Sequence, residues 1–247
     1  LGLDSAPPGA NVTYSRVWTD SRTVGAGDLF VALEGERFDA HDFVTQAEAR
    51  GALGAVVARD VETSGALRIY RVTDTLQALG RLARHRRRAL SVPVVGITGS
   101  SGKTGTKDLL ARVLSGTFRV HWTPRNLNNR VGLPLTLLAA PSDAQVLVVE
   151  MGTNEPGEVR ALTEIAEPGI GVITTVSETH LEKLGSLEGV LEEKLDLLRG
   201  LPGHGVAVVG DEPRILEERA RTVAPDLLVT GWSSRARPEN RPENPTL

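Results

Sequence analysis

From residue 92 onward the chain repeats one pattern: a short apolar run, a polar or Gly-rich stretch, then apolar residues spaced three and four apart. The runs at 94–98, 146–150, 170–176, 206–209 and 227–230 predict strands. They are nearly unbroken in apolar character, as strands are when helices cover both faces of a parallel sheet. Helical spacing predicts helices at 104–115 (closed by Gly116), 158–166, 186–199 and about 212–223. The expectation is a doubly wound, mostly parallel α/β domain. Residues 1 to about 91 carry a similar but smaller pattern, with strands at 29–33 and 55–58, a helix at 42–50 stopped by Gly51, and a helix at 76–90. The predicted organisation is a small α/β domain over 1–91, a central domain over 92–231 opened by Pro93, and a linker or disordered tail over 232–247. In the tail Arg237-Pro238-Glu239-Asn240 recurs as Arg241-Pro242-Glu243-Asn244 without periodic apolar residues.

Composition narrows this only at points. Hydrophobic residues make up 40% and charged residues 24%, ordinary for a globular protein. A net charge of −3 gives no reason to expect nucleic acid or an anionic membrane as partner. The absence of cysteine excludes disulfides and thiolate metal sites. No apolar run approaches the roughly 20 residues that span a bilayer, and no signal pattern opens the chain, so the expectation is a cytoplasmic protein without membrane insertion. One bias matters more. Of 28 basic residues only Lys103, Lys107, Lys183 and Lys194 are lysine, and the other 24 are arginine. In such a chain each lysine is a candidate for a task that arginine cannot do, since arginine is never deprotonated and its planar fork does not replace a compact ammonium. The run Arg84-His85-Arg86-Arg87-Arg88 reads as a solvated helix end, with phosphate binding as the alternative.

The chemistry gathers at the carboxyl ends of the central strands, where parallel α/β sheets bind ligands. The first strand feeds Gly99-Ser100-Ser101-Gly102-Lys103-Thr104 and then a helix. In such a P-loop, backbone N–H groups surround phosphates, the lysine reaches the outer ones, and the Thr hydroxyl binds Mg²⁺. The usual spacing would put Gly at position 97, which is Ile here. The second strand ends in Glu150, and the third is followed by His180. With Thr104 these can converge on Mg²⁺ and a triphosphate. Alone, Glu150 also reads as a solvent-facing charge and His180 as a loop histidine. Lys194 lies within the apolar stripe Leu187, Val190, Leu191, Leu195 and Leu198. Two readings stay open there: a paired or chemically altered lysine, or a stem that snorkels to water.

At this point the chain resembles the Mur ligases, the ATP-dependent amide ligases that build the peptidoglycan precursor peptide. The resemblance rests on Asp20-Ser21-Arg22 with Gly27-Asp28-Leu29-Phe30-Val31-Ala32-Leu33, the loop at 98–104, Asn126-Leu127-Asn128-Asn129 with Gly132-Leu133-Pro134, Glu150-Met151-Gly152, His180-Leu181-Glu182 and Glu193-Lys194, in that order. The Asn-rich segment is most similar to the member that adds D-alanyl-D-alanine to a UDP-muramoyl tripeptide. The resemblance implies ATP on Gly99, Ser100, Ser101, Gly102, Lys103 and Thr104, and Mg²⁺ on Thr104, Glu150, His180 and a carbamoylated Lys194. It implies a catalytic set of Lys103, Glu150, His180 and Lys194. Substrate would be held by Asp20, Ser21, Arg22, Asn126, Asn128 and Asn129, in a monomer acting on small molecules. Thr175, Arg125, Arg130 and Gly105 depart from the pattern: Arg125 stands where Gly is frequent and Thr175 where Asn is common. The resemblance implies a third, C-terminal domain that is not expected within these residues, so this chain alone is expected to be inactive. Three rival readings remain: another member of the same family, a P-loop kinase or NTPase, and a module that only binds nucleotide or UDP-substrate.

Overall fold

The computed structural model describes residues 12–179, 181–224, 226 and 228–230. His180 and the tail at 232–247 lie outside the described residues. Contacts divide the chain into two compact units, Leu1–Arg86 with Leu137–Ala139, and Arg87–Thr136 with Ala140–Leu247.

The first unit holds a four-stranded parallel sheet. Its strands are β1 (Val17–Trp18), β2 (Leu29–Val31), β3 (Gly54–Val57) and β4 (Arg68–Arg71), side by side in that order. Strands β2 and β3 are wholly buried and form the core with Val24, Val44, Ala47 and Leu67. The helix expected at 42–50 begins as a 3₁₀ turn, Ala40–Phe43, and continues as α1 (Val44–Ala49). Its N-terminus is capped by Asp39, whose side chain accepts from the His41 N–H. Helix α2 (Thr75–Leu90) buries Ala78, Leu79 and Ala83, and Asp74 accepts from the Gln77 N–H at 2.9 Å to cap it. Strands β1 and β4 are absent from the sequence reading. β1 has two residues, and β4 (Arg-Ile-Tyr-Arg) is half-buried with arginines at both ends, so neither shows an apolar run.

The second unit is built on a six-stranded parallel sheet. In chain order its elements are β5 (Val94–Thr98), α3 (Lys103–Leu114), β6 (Val120–Trp122), α4 (Gly132–Leu138), β7 (Val146–Glu150), α5 (Glu158–Ala166), β8 (Ile170–Ile173), α6 (Leu181–Leu184), α7 (Leu187–Arg199), β9 (Val206–Gly210), α8 (Arg214–Val223) and β10 (Leu228–Thr230). The strand order is β10-β9-β8-β5-β7-β6. The sheet therefore grows in both directions from β5, and the crevice of a doubly wound fold opens at the carboxyl ends of β5, β7 and β8. β5 and β7 are buried at every residue, which is why both read as unbroken apolar runs. β6 and α4 escape the sequence reading. β6 is a three-residue edge strand with a histidine at its centre, and α4 carries Pro134 in its first turn, where proline is tolerated but disguises a helix. Strand β8 ends at Ile173, short of the expected 176: the Thr174 N–H makes the last rung to the Thr98 carbonyl, and beyond it the Thr175 carbonyl accepts from Ser100 N in the loop.

The basic run at 84–88 has a different use from either expected one at two of its positions. Arg87 donates to the Ala166 and Glu167 carbonyls at 2.8 and 3.1 Å, and Arg88 pairs with the Glu167 carboxylate. Together they close the C-terminal end of α5, where cations complement the helix dipole.

Candidate functional site

The loop after β5 is shaped by a close approach. A Cβ on Gly99 would lie 2.0 Å from Thr174 Oγ1, and the residue has φ +149°, so only glycine fits. The third strand's end then latches the loop: Ser100 N donates to the Thr175 carbonyl at 2.8 Å, Thr174 Oγ1 donates to the Ser101 carbonyl at 2.5 Å, and Ser101 N reaches Thr175 Oγ1 at 3.3 Å. Thr175, which departs from the family pattern, is thus part of the loop's support. Ser100 Oγ accepts from Ser177 N at 2.9 Å and from Thr179 Oγ1 at 3.2 Å, fastening the segment that leads to His180. Lys103 opens α3 and folds back over the loop, donating to the Gly99 carbonyl at 2.7 Å. Burial lowers its pKa, against the opposing pull of Glu150. A cleft of about 530 Å³ lies beside the loop, lined by Ser101, Thr175, Ser177, Pro213 and Arg214 among others.

Glu150 is 1% exposed, which overturns its reading as a solvent-facing charge. Oε2 accepts from Thr104 Oγ1 at 3.0 Å and Oε1 accepts from Asn128 Nδ2 at 2.7 Å. Its backbone N–H donates to Thr123 Oγ1 at 2.9 Å. Asn128 can lie this close because position 152 is glycine. A Cβ there would meet the Asn128 amide at 2.8 Å, and the Gly152 N–H donates to the Asn128 carbonyl at 2.8 Å. The structure thus joins Thr104, Asn128 and Glu150, from three separate motifs, into one hydrogen-bonded group. Asn129 does other work. Its Oδ1 accepts from Val131 N and Gly132 N and caps α4, while Asn126 is exposed.

Lys194 is 2% exposed on α7. Among the described residues its Nζ has no hydrogen-bond or ion-pair partner. No fully occluded side-chain nitrogen or oxygen among the described residues lacks a partner. Burial first, and then the Lys103 charge, push its pKa down to about 8, with Glu193 acting in the opposite sense. Glu193 is itself buried. It accepts from Gly157 N at 2.6 Å, Val159 N at 2.8 Å and Thr153 Oγ1 at 3.1 Å, tying α7 to the start of α5.

Asp20, Ser21 and Arg22 lie in a turn of the first unit. Asp20 accepts from the Arg22 backbone N–H and from its guanidinium, and these bonds hold the carboxyl down at about 2. Two contributors to the site were not assigned from sequence, Thr123 and Lys107. Lys107 was recognisable in principle: it is one of four lysines and lies one helical turn beyond Lys103 and Thr104 on the same face. Thr123 carries no such signal.

Residues 97–241 match the Mur ligase middle domain, and residues 13–87 match the Mur ligase family catalytic domain. The UDP-N-acetylmuramoyl-tripeptide–D-alanyl-D-alanine ligase of Bacillus subtilis (strain 168) is 44% identical over 199 residues, covering 80% of this chain and 44% of the relative. That of Escherichia coli (strain K12) is 41% identical over 207 residues, covering 84% and 45%. Among solved structures, MurF from Acinetobacter baumannii superposes with a TM-score of 0.82 at 36% identity, over 90% of this chain and 48% of its own. MurF ligase from Thermotoga maritima in complex with ADP gives 0.79 at 34% identity, over 87% and 49%. The chain thus spans just under half the length of the relatives it matches.

Proposed function

Because this chain belongs to the Mur ligase family, we propose that it carries the ATP-binding and UDP-substrate-binding parts of a ligase that joins D-alanyl-D-alanine to a UDP-N-acetylmuramoyl tripeptide in peptidoglycan precursor synthesis. The observation that carries the reading is the Thr104–Glu150–Asn128 group. It ties the phosphate loop to the Asn-rich segment that distinguishes this member. A kinase or NTPase needs the loop and the acid but not Asn128 or a buried Lys194. The reading places the activity in the cytoplasm, in a monomer. Among the described residues, no helix is long and apolar enough to cross a membrane.

The donor set suits Mg²⁺, which prefers hard oxygen ligands. Thr104 Oγ1 and Glu150 Oε2 would hold it, with His180 and a carbamate on Lys194 completing the set. Among the described residues no three His, Asp or Glu side chains cluster into a metal group. When bound, the ion would offset charge on the transferring phosphoryl group.

The chain's own groups do the rest. Loop N–H groups hold the β- and γ-phosphates, and Lys103 exchanges the Gly99 carbonyl for a γ-phosphoryl oxygen. A carboxylate oxygen of the tripeptide attacks the γ-phosphorus and ADP leaves, giving an acyl phosphate. The dipeptide amine then attacks the acyl carbon, loses a proton, and phosphate departs with that carboxylate oxygen. Asp20, Ser21 and Arg22 would bind the UDP portion, and Asn126 and Asn129 would act with Asn128 on the tripeptide.

Lys194 is suited to carbamoylation because the amine must be neutral to attack CO₂. With a pKa of about 8, roughly a tenth is neutral at pH 7, against about one part in 2,500 for an ordinary lysine. The carbamate also converts repulsion by Lys103 into attraction. The test of the whole route is isotopic. With ¹⁸O in the tripeptide carboxylate, released phosphate should carry one labelled oxygen. Unlabelled phosphate would exclude the acyl phosphate.

A further inference from the structure

We propose that Lys107 is a positioning residue whose ammonium sets the geometry of the Asn128–Glu150 pair. The proposal rests on the metal and nucleotide reading above. Lys107 is 1% exposed, yet it is not the chain's habitual cation, since 24 of its 28 basic residues are arginine. Its Nζ donates to the Thr123 carbonyl at 2.9 Å and the Arg125 carbonyl at 3.1 Å, and lies 3.2 Å from Asp108 Oδ1 and 3.8 Å from Glu150 Oε2. These partners offset the cost of burying a charge. A methionine of similar length would fill the space without that cost, so packing alone does not explain the ammonium.

What Lys107 holds is the loop that delivers Asn128. Thr123 meets Lys107 through its carbonyl and Glu150 N through its hydroxyl. Arg125 has φ +52°, a left-handed conformation that non-glycine residues adopt at a cost. Its carbonyl is the second acceptor of the ammonium. Three residues later Asn128 binds Glu150 Oε1, while Thr104, on the same helix as Lys107, binds Oε2. One cation therefore secures a strained turn, the loop beyond it and the carboxylate both must serve. Arginine cannot substitute, because its wide planar fork does not place donors on two carbonyls in a closed niche.

The test is calorimetric titration of ADP, with Mg²⁺ and with EDTA, into wild type, Lys107→Met, Lys107→Met/Arg125→Gly and Glu150→Gln. Lys107→Met should weaken Mg²⁺-dependent ADP binding about tenfold and leave Mg²⁺-free binding within about twofold. Adding Arg125→Gly should restore at least threefold, since glycine holds φ +52° without strain. Equal loss with and without Mg²⁺, or no rescue, would reduce Lys107 to a structural role and overturn the proposal. Should Lys107→Met fail to fold, Arg125→Val serves in its place. It changes an exposed side chain, disfavours the same turn and should weaken Mg²⁺-dependent binding several-fold. Wild-type affinity in that variant would also overturn the proposal. Glu150→Gln separates the two layers: if it leaves Mg²⁺-dependent binding intact, the metal reading itself has failed.

Discussion

Lys194 shows how one side chain can be costly for folding and useful for chemistry. Its pKa is lowered from the usual lysine range to about 8, so the folded state resists its proton. The penalty is therefore full below about pH 8 and fades as pH rises toward the unfolded value near 10.5. In CO₂-free buffer, Lys194→Met should stabilise the protein by about 2 kcal/mol at pH 7, with the gain shrinking toward pH 10. Thermal melts of the two proteins at both pH values check the sign. Bicarbonate with Mg²⁺ should raise the melting temperature of wild type and leave Lys194→Met unmoved. At this scale the sequence was partly legible. The apolar stripe marked Lys194 as unusual, and strand-end position marked Glu150. The burial of Lys107 depends on Thr123 and Arg125, distant in sequence, while the capping duty of Asn129 is local but hidden because α4 itself was not predicted.

At the scale of elements, α5 is held at both ends by other parts of the chain. Glu193 from α7 accepts from its first turn, and Arg87 and Arg88 meet its last. The same Glu193 fixes the turn of α7 that carries Lys194. Glu193→Gln keeps one carbonyl acceptor but loses the charge that strengthens two bonds at a helix N-terminus and one to the Thr153 hydroxyl, so it should cost about 1–3 kcal/mol in denaturant unfolding. It also removes the nearby carboxylate that raises the Lys194 pKa. The apparent pKa for Lys194 modification by an amine reagent should then fall further below 8; an unchanged or higher value would contradict the link between the two residues. The buried strands β5 and β7 were legible as unbroken apolar runs, and α7 as an apolar stripe at helical spacing. The short edge strands β1, β4 and β6, and α4 with its early proline, were not, because their partners rather than their composition make them regular.

At the scale of the molecule, the strand order explains why motifs spread across the sequence meet. β5 is flanked by β7 and β8, so the loop, Glu150 and the Thr174–Thr179 segment reach one end of one sheet. The doubly wound architecture was legible from alternating strands and helices, and with it the end of the sheet where the chemistry had to lie. On the proposed function this site serves amide ligation and not simple nucleotide hydrolysis. The measurement that decides is ADP release by a full-length ligase containing this chain, supplied with ATP, Mg²⁺, UDP-N-acetylmuramoyl tripeptide and D-alanyl-D-alanine, each omitted in turn. ADP should form one-for-one with amide product, with turnover only when all are present. Steady ADP release from ATP alone, unchanged by either substrate, would contradict it.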